Sequence, residues 1–295
     1  MKMKGGWVID VDVQDCFGSL DHGVLRSFLD KRVRDGVLRR AIDKWLKAGV
    51  MEDGHIHYPD SGSPQGGVIS PVLANLYLHE VMDVWFEEMV KPVLRGQAFM
   101  IRFADDSIMV FALEDDARRV YRTLPKRFAK YGLTIHPDKT HLLRFRKPPR
   151  DARGKGDTTG GPRPATSDFL GFTHYWARSL QGYWVVKRKT AASRFVRALR
   201  RIADWCRRNR HRPVAEQHPM LIKKLRGHYE YYGITGNSTA LARFRYAVEH
   251  TWKRWLERRS QRAAIGWDRF ERFRERYPLP SPICAHSILR RVAKP

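Results

Sequence analysis

Hydrophobic and polar residues alternate in the first half of the chain as they do in β-strands. Residues 7–13 predict a strand that carries Asp10 and Asp12 on one face and apolar side chains on the other. Residues 99–103 and 107–112 are two further apolar runs, separated by only three residues. These two runs predict a β-hairpin with acidic residues at its tip.

Apolar residues in the segments between these strands recur at helical spacing, which predicts helices there. Asp21 is placed to cap one helix. Further helices are predicted over residues 39–48, 67–90 and 115–131. Two short strands are predicted over residues 133–135 and 141–145. The order strand, helices, hairpin, helix, strand is typical of the split βαβ sheet of ferredoxin-like folds. We therefore expect an α+β domain over residues 1–146.

The second half of the chain differs in composition and in periodicity. Residues 147–168 lack aromatic and large aliphatic side chains and are rich in Gly, Pro and charge, which predicts a flexible loop. Residues 169–189 predict a hairpin. Apolar residues then recur at helical spacing in residues 190–208 and 240–259. We expect residues 190–295 to be mainly helical.

Charge is distributed unevenly between the two halves. The 295 residues include 56 Lys and Arg against 31 Asp and Glu, a formal net charge of +25. Residues 1–140 contain 20 basic and 20 acidic side chains, so residues 141–295 carry 36 basic and 11 acidic ones. Such an excess, interleaved with aromatic residues, favours a polyanionic partner, because Lys and Arg displace counterions from phosphates and aromatic rings stack on bases.

Several other classes of protein are disfavoured by the same sequence. The three cysteines are far apart and form no C-x-x-C pair, which argues against a disulfide framework or a cysteine zinc site and fits a cytoplasmic location. They are Cys16, Cys206 and Cys284. No apolar stretch reaches the roughly 20 residues that span a membrane, so no membrane partner is predicted. Protein partners are not specified by the sequence.

Paired acidic residues carry the chemistry that the sequence suggests. Asp12 on the first strand and Asp105-Asp106 at the hairpin tip become neighbours in a split βαβ sheet. Carboxylates brought together in this way repel one another unless a divalent cation neutralises them, and hard oxygen ligands favour Mg²⁺. A site with two ions would perform nucleotidyl transfer by in-line displacement at a phosphate.

Several ordered motifs resemble those of group II intron-encoded reverse transcriptases with a maturase domain. The matching segments cover residues 12–17 and 20–22, 62–71, 103–106, 132–140, 169–172, 225–233 and 252–256. The Phe103-Ala104-Asp105-Asp106 segment matches the family's aromatic-Ala-Asp-Asp box. The resemblance covers nearly the whole chain. It implies a polymerase palm followed by a helical thumb and maturase region.

The resemblance also implies roles for particular residues. Asp12, Asp105 and Asp106 would be catalytic and would bind two Mg²⁺ ions together with the Val13 backbone. Nucleotide contacts would come from Asp15, Phe17, Gln65, Gly66 and Lys139, with Phe17 excluding a 2′-hydroxyl and Lys139 assisting pyrophosphate departure. The primer grip would be Phe169, Leu170, Gly171 and Phe172. RNA contacts would come from Arg226, Tyr229, Tyr232, Arg243, Arg245, Lys253, Arg254, Arg258 and Arg259.

The function implied is RNA-directed DNA synthesis for a mobile intron, with RNA binding that assists splicing. The partners would be group II intron RNA, an RNA template with a DNA primer, and deoxynucleoside triphosphates. Because the chain begins almost at the first palm motif, we expect a truncated chain without the fingers region. Two alternatives stay open: a splicing factor or inactive fragment that binds RNA without polymerising, and, less favoured by the basic half, a nucleotide cyclase.

Overall fold

The computed structural model describes residues 5–47, 50–52, 55–57, 62, 67–149, 165–260 and 264–286. The chain divides into two compact units. The first contains Met1–Phe169 and Arg178–Trp184, and the second contains Leu170–Ala177 and Val185–Pro295. Residues 150–164, most of the predicted flexible loop, lie outside the described residues. The last two residues of that predicted loop belong instead to the strand Ser167–Phe169.

Strands and helices occur in the predicted order. The strands are β1 Gly5–Val11, β2 Val13–Gln14, β3 Val50–Glu52, β4 His55–His57, β5 Ala98–Phe103, β6 Asp106–Phe111, β7 Thr134–Ile135, β8 His141–Arg146, β9 Ser167–Phe169, β10 Phe172–Arg178 and β11 Trp184–Thr190. The helices are α1 His22–Asp30, α2 Gly36–Leu46, α3 Ser70–Leu78, α4 Glu114–Ala129, α5 Ala192–Asn209, α6 Val214–Tyr232, α7 Ser238–Glu257 and α8 Trp267–Arg276. Helix α3 continues through π-helical turns, His79–Asp83 and Trp85–Val90, and a 3₁₀ turn, Lys91–Val93.

A four-stranded sheet forms the centre of the first unit. Its strand order is β5-β6-β1-β8, and the neighbouring strands are antiparallel. This is the order of a split βαβ sheet, in which the two outer strands follow the two helical crossovers. The predicted α+β, ferredoxin-like palm is therefore confirmed.

The first core lies between one face of this sheet and the helices. Ile9 and Val11 of β1 and Phe111 of β6 are at most 1% exposed. The Phe111 ring meets Phe86 edge to face, with 6.2 Å between the ring centroids. Burying a side chain of this size contributes about 1.5–3 kcal/mol, so the apolar face of β1 anchors the sheet to the helices.

Side-chain caps fix where the first helices begin. The Asp21 carboxylate accepts a hydrogen bond from the Val24 amide at 2.7 Å, as the sequence predicts for helix α1. Asp35 caps α2 in the same way through the Leu38 amide at 2.8 Å. Helix α2 therefore begins at Gly36, three residues before the predicted start, because the capping residue precedes the apolar stripe.

In the described part of the second unit, four helices surround a separate core. The predicted apolar stripes of α5 and α7 are buried in it, together with Leu221 and Leu225 of α6. The buried Gln217 side chain satisfies its polar groups within this core. Its amide donates to the Asn209 and Arg212 carbonyls, and its oxygen accepts from Trp252 Nε1 at 2.9 Å. Among the helices of the described chain, none combines the length and apolarity needed to cross a bilayer.

Candidate active site

Asp12 lies immediately after the end of β1, and hydrogen bonds to its backbone fix its position. The Asp12 amide donates to Thr140 Oγ1 at 3.2 Å, and its carbonyl accepts from the His136 amide at 2.9 Å. These contacts bring the loop after β7 beside the carboxylate. Within that loop, Lys139 Nζ is 3.5 Å from Asp12 Oδ1. The predicted carboxylate and the predicted ammonium group are therefore neighbours.

Asp106 lies at the same end of the adjacent strand. In the register of β1 with β6, Val11 pairs with Ser107. Because Asp12 follows Val11 and Asp106 precedes Ser107 in an antiparallel pair, the two acidic residues lie one position beyond the last pair. The fold therefore brings Asp12 and Asp106 to one edge of the sheet, as the sequence predicts.

An arginine side chain donates a hydrogen bond to the turn that carries Asp105. Ala104 has a positive φ of 55°, a conformation that is uncommon for a residue with a side chain. Arg102 donates from Nη1 to the Ala104 carbonyl at 2.9 Å, and from Nε and Nη2 to Asp83 at 2.7 and 2.6 Å. Sequence reasoning missed this pair. The only signal was an arginine inside an otherwise apolar strand.

The pKa of Asp10 reflects the burial and the negative charge at this edge of the sheet. Burial, together with the nearby carboxylates of Asp106, Asp12 and Asp168, raises the pKa of Asp10 to about 7. Desolvation is the larger cause, and repulsion from the carboxylates adds to it. Sequence analysis placed Asp10 on the correct face but assigned it no role, and Asp168 on β9 was assigned to a loop.

The donor chemistry of this edge fits a divalent cation. Carboxylate oxygens are the ligands that Mg²⁺ prefers, and repulsion among them is relieved by a bound cation. In the part of the chain that the structure describes, no group of three or more His, Cys, Asp or Glu side chains is already arranged to hold a metal ion. The carboxylates at this edge are suitable ligands by their chemistry, and the ammonium group of Lys139 lies 3.5 Å from Asp12 Oδ1.

The first motif continues into a tight turn that packs against the second motif. Asp15 has a positive φ of 42°, and its carboxylate accepts from the Gly18 amide at 3.2 Å. Gly62 has a φ of 87°, and a Cβ there would lie 2.7–2.9 Å from Gly18 backbone atoms. His22 Nε2 is 2.6 Å from the Gly62 carbonyl. The glycine at position 62 thus permits two motifs, far apart in sequence, to touch.

The structure describes only some of the other residues predicted to contact a nucleotide. Phe17 is half-buried and packs against the first core. Burial, together with the Asp105 carboxylate, raises the pKa of the Cys16 thiol to about 12. Gln65 and Gly66 lie outside the described residues.

The residues predicted to grip the primer, 169–172, form a tight turn between β9 and β10. Leu170 and Gly171 both have positive φ, at 49° and 77°, as a type I′ turn requires. The Leu170 carbonyl accepts from the Tyr231 hydroxyl at 3.1 Å, and the Gly171 carbonyl accepts from the Ala191 amide at 2.9 Å. Within the second unit, the turn is therefore supported by the start of α5 and the end of α6.

Some of the side chains predicted to contact RNA form hydrogen bonds or ion pairs within the protein. Tyr229 is 3% exposed, and its hydroxyl donates to the Pro280 carbonyl, so its side chain presents no surface to a partner. Arg245 pairs with Glu249, and Lys253 pairs with Glu257. Arg259 donates to the carbonyls at the end of α5. These side chains stabilise helix packing.

The remaining predicted RNA contacts lie at the surface of the second unit. Tyr232 is half-buried beside the turn described above, with its ring edge to face with Phe172. The exposed arginines are Arg226, Arg243, Arg254 and Arg258. Arg258 covers the Trp255 ring, with 5.1 Å from its guanidinium carbon to the ring centroid. Exposed arginines of this kind are able to reach phosphates.

Comparison with known proteins agrees with this geometry. The sequence profile of the family described as reverse transcriptase (RNA-dependent DNA polymerase) matches residues 2–174. The group II intron-encoded protein LtrA of Lactococcus lactis subsp. cremoris is 41% identical over 75 residues, which are 25% of this chain and 12% of LtrA. The COX1/OXI3 intron 1 protein of Saccharomyces cerevisiae is 33% identical over 98 residues, 32% of this chain and 12% of that protein.

A telomerase structure is also similar. The apo telomerase from Candida tropicalis has 11% sequence identity and a TM-score of 0.45, and the match covers 91% of this chain and 48% of that one. The matched segments of the two intron proteins span about an eighth of their length, 12% in each case. Because the family profile matches residues 2–174, more than half of the 295 residues, the predicted resemblance is confirmed: the chain belongs to the reverse transcriptase (RNA-dependent DNA polymerase) family.

Proposed function

We propose that the chain is the RNA-directed DNA polymerase of a group II intron, with intron RNA as its partner and a role in splicing. The observation that carries this proposal is the meeting of Asp12 and Asp106 at one edge of the palm-type sheet, with Lys139 3.5 Å from Asp12. A cytoplasmic location, favoured by three scattered cysteines, is part of the same proposal.

The acidic edge of the sheet would hold the reacting groups. Asp12, Asp105 and Asp106, with the Val13 backbone, would bind two Mg²⁺ ions. When bound, such ions activate a primer 3′-hydroxyl and stabilise the departing pyrophosphate oxygens. The backbone hydrogen bonds to Asp12 and the Arg102 contact at the hairpin turn keep the ligands in place before substrate arrives, which lowers the cost of ordering them.

Substrate selection would fall to neighbouring side chains. The ammonium group of Lys139 would neutralise pyrophosphate as it leaves, and its 58% exposed side chain is free to move toward that charge. Phe17 would exclude a ribose 2′-hydroxyl by steric contact, and Asp15 would contact the nucleotide. Gln65 and Gly66 would approach the nucleotide and template. The turn at residues 169–172 would hold the primer end.

The second unit would bind the intron RNA. Its residues, 170–177 and 185–295, carry 28 basic and 8 acidic side chains, and four of the arginines predicted to contact RNA are exposed in it. Guanidinium groups pair with phosphate in a planar, two-point geometry. RNA binding of this kind would be strongly weakened by salt.

Primer extension tests the proposed reaction. The assay uses an RNA template, a DNA primer, deoxynucleotides and Mg²⁺, with Asp105→Ala as the test variant and Asp115→Ala as its control. Asp115 is an exposed acidic residue in the first turn of α4. We expect synthesis to fall by a factor of at least about 10³ in the test variant, because electrostatic stabilisation of the phosphates is lost, and to stay unchanged in the control.

A second function is favoured by the charge of the second unit. A splicing factor that binds intron RNA without polymerising needs the basic helices but not the acidic edge. Tight RNA binding by the wild-type chain with no Mg²⁺-dependent synthesis would favour this function and contradict the first. Synthesis that survives Asp105→Ala would contradict the assignment of the acidic edge.

A further inference from the structure

A cleft of about 410 Å³ lies within the second unit, between α5 and α6 and above Phe244 of α7. Its volume is within the range of sites that bind small ligands or single groups of a larger one. No residue of the acidic edge described above lines it. Its chemistry is set by cations, one glycine and an aromatic wall.

Basic side chains surround the mouth of the cleft. Arg194, Arg197 and Arg201 recur three and four positions apart, so that they lie on one face of α5. All three are exposed, and Lys224 of α6 lies across from them. Among the described residues, no acidic side chain lines the cleft, and none of the three arginines forms an ion pair there. Their charge is therefore available to an anion.

The spacing of these arginines matches a polyanion better than a single small anion. With a rise of 1.5 Å per residue, Arg194 and Arg201 are about 10.5 Å apart along the helix axis. A row of three cations over this length is able to contact successive phosphates of one strand, whereas a single small anion would contact only part of the row. Arg245 and Arg259, which have partners within the chain, offer no comparable row.

Gly227 supplies an observation that is independent of charge. It lies in the interior of α6, where glycine costs about 1 kcal/mol relative to alanine. A Cβ at this position would meet nothing within 4 Å, so packing inside the protein does not require a glycine. Because Gly227 lines the cleft, its missing side chain leaves the helix backbone open to close approach by a ligand.

The aromatic wall of the cleft carries one exposed ring and one unsatisfied polar atom. Tyr231 is 55% exposed, and its ring stacks on Phe172 with 6.0 Å between centroids. His228 Nε2 is buried and has no hydrogen-bond partner among the described residues. The His228 ring is stacked on Phe244 with 3.8 Å between centroids. A flat, partly polar wall of this kind suits a ribose or a base.

We propose that this cleft binds the sugar-phosphate backbone of an RNA strand. Phosphates lie along Arg194, Arg197 and Arg201, and the sugar passes over Gly227. The inference rests on the RNA binding of the proposed function and names the surface that performs it. Sequence reasoning placed Gly227 in the motif over residues 225–233 but gave none of these four residues a role, because their grouping depends on which faces of α5 and α6 line the cleft.

Binding measurements on the full chain test the cleft without requiring synthesis. Fluorescence anisotropy with a single-stranded RNA oligonucleotide compares Gly227→Leu with Ala215→Leu, an exposed position in the first turn of the same helix. We expect Gly227→Leu to weaken binding by about tenfold or more while the melting temperature stays equal or rises, because leucine is a better helix former than glycine. Ala215→Leu should bind as wild type does.

A charge-matched pair provides a second measurement. Arg197→Gln should weaken RNA binding and lower the slope of log Kd against log salt by about 0.7, the value for one contact with single-stranded phosphate. Arg200→Gln removes the same charge from an exposed position of α5 outside the cleft lining and should change the slope less. Equal effects of the two variants would overturn the proposal, as would unchanged binding by Gly227→Leu.

The nucleic acid used distinguishes the possible sources of the phosphates. Loss of binding to RNA supports the proposal whether or not a DNA strand of the same sequence is equally affected. Loss that is confined to DNA would overturn the commitment to RNA. If the wild-type chain binds no RNA, the proposed function itself fails. If the wild type binds and the cleft variants bind equally well, only the cleft assignment fails.

Discussion

The two units place their functional groups by different means. In the first unit, a few side chains depend on backbone contacts between segments far apart in sequence, such as the Thr140 hydroxyl on the Asp12 amide. In the second unit, basic side chains project from the exposed faces of helices whose opposite faces form the core. The acidic edge should therefore be sensitive to single changes in position, whereas the basic surface should respond gradually to changes in charge.

The close approach of Gly18 and Gly62 allows the sharpest test of this contrast. Both Gly62 and Gly182 have positive φ, at 87° and 79°. A Cβ at Gly62 would lie 2.7–2.9 Å from Gly18 backbone atoms, whereas a Cβ at Gly182 would meet nothing within 4 Å. Gly182→Ala should therefore cost only the conformational strain of about 1–2 kcal/mol. Gly62→Ala should cost about 3 kcal/mol or more, since backbone must move as well.

Denaturant unfolding of the two glycine variants measures this difference. Primer extension on the same preparations should fall strongly for Gly62→Ala, because the turn that follows Asp12 is displaced. Equal destabilisation by both variants would mean that the contact between the two motifs carries no positional constraint.

The buried histidine His228 tests whether the stability of the second unit also depends on the surroundings of a single side chain. Burial lowers the pKa of His228 to about 4, below its ordinary value of about 6.5. Between these values the unfolded chain binds a proton that the folded chain does not, so stability falls as the pH falls through this window. The loss at pH 5 relative to pH 7.5 is about 2 kcal/mol.

The variant His228→Phe should remove this part of the pH dependence. The unfolding midpoint, compared at pH 7.5 and pH 5, should differ less in the variant than in wild type. His211→Phe, at an exposed histidine, serves as the control and should keep the wild-type dependence. An unchanged pH dependence in His228→Phe would show that the histidine is not desolvated.

Arg102 gives the smallest expected effect and tests positioning directly. Lysine at this position keeps the charge but loses the two-point contact with Asp83 and the donor to the Ala104 carbonyl. We expect kcat for primer extension to fall by about tenfold in Arg102→Lys, with RNA affinity unchanged. Arg118→Lys changes an exposed pair with Glu114 and should leave kcat unaltered. A loss of melting temperature without a loss of kcat would assign Arg102 a purely structural role.

Short-range patterns predicted the elements of the first unit well. Alternation placed β1 and the β5–β6 hairpin, and the Asp21 side chain marked the start of α1. Such signals act over a few residues, and burial in the fold agrees with them. The acidic edge was predicted because the order of strands and helices has few possible sheet arrangements.

Contacts between distant segments were not predictable in the same way. Arg102 of β5 and Asp83 of the π-helical turn after α3 are 19 positions apart, and the fold brings them together. The Asp168 carboxylate, in a segment that the sequence predicts as loop, affects the pKa of Asp10. No local pattern of residue types encodes either interaction.

The basic half shows the limit of composition as a guide. Neighbouring residues Lys253 and Arg254 have the same charge, yet Lys253 pairs with Glu257 and Arg254 is exposed. The sequence gives the excess of charge but not which helix face is free. Arg194, Arg197 and Arg201 form a row beside Gly227 because one face of α5 and one face of α6 line the same cleft.

Parallel measurement of RNA affinity and primer extension on wild type and Asp105→Ala separates the roles of the two units. Synthesis should depend on the acidic edge of the first unit, and RNA binding should depend on the basic helices of the second. We predict that synthesis falls by a factor of at least about 10³ while Kd for RNA stays within about twofold. A Kd that rises as steeply as synthesis falls would contradict the account, because the acidic edge would then support the fold and not the reaction.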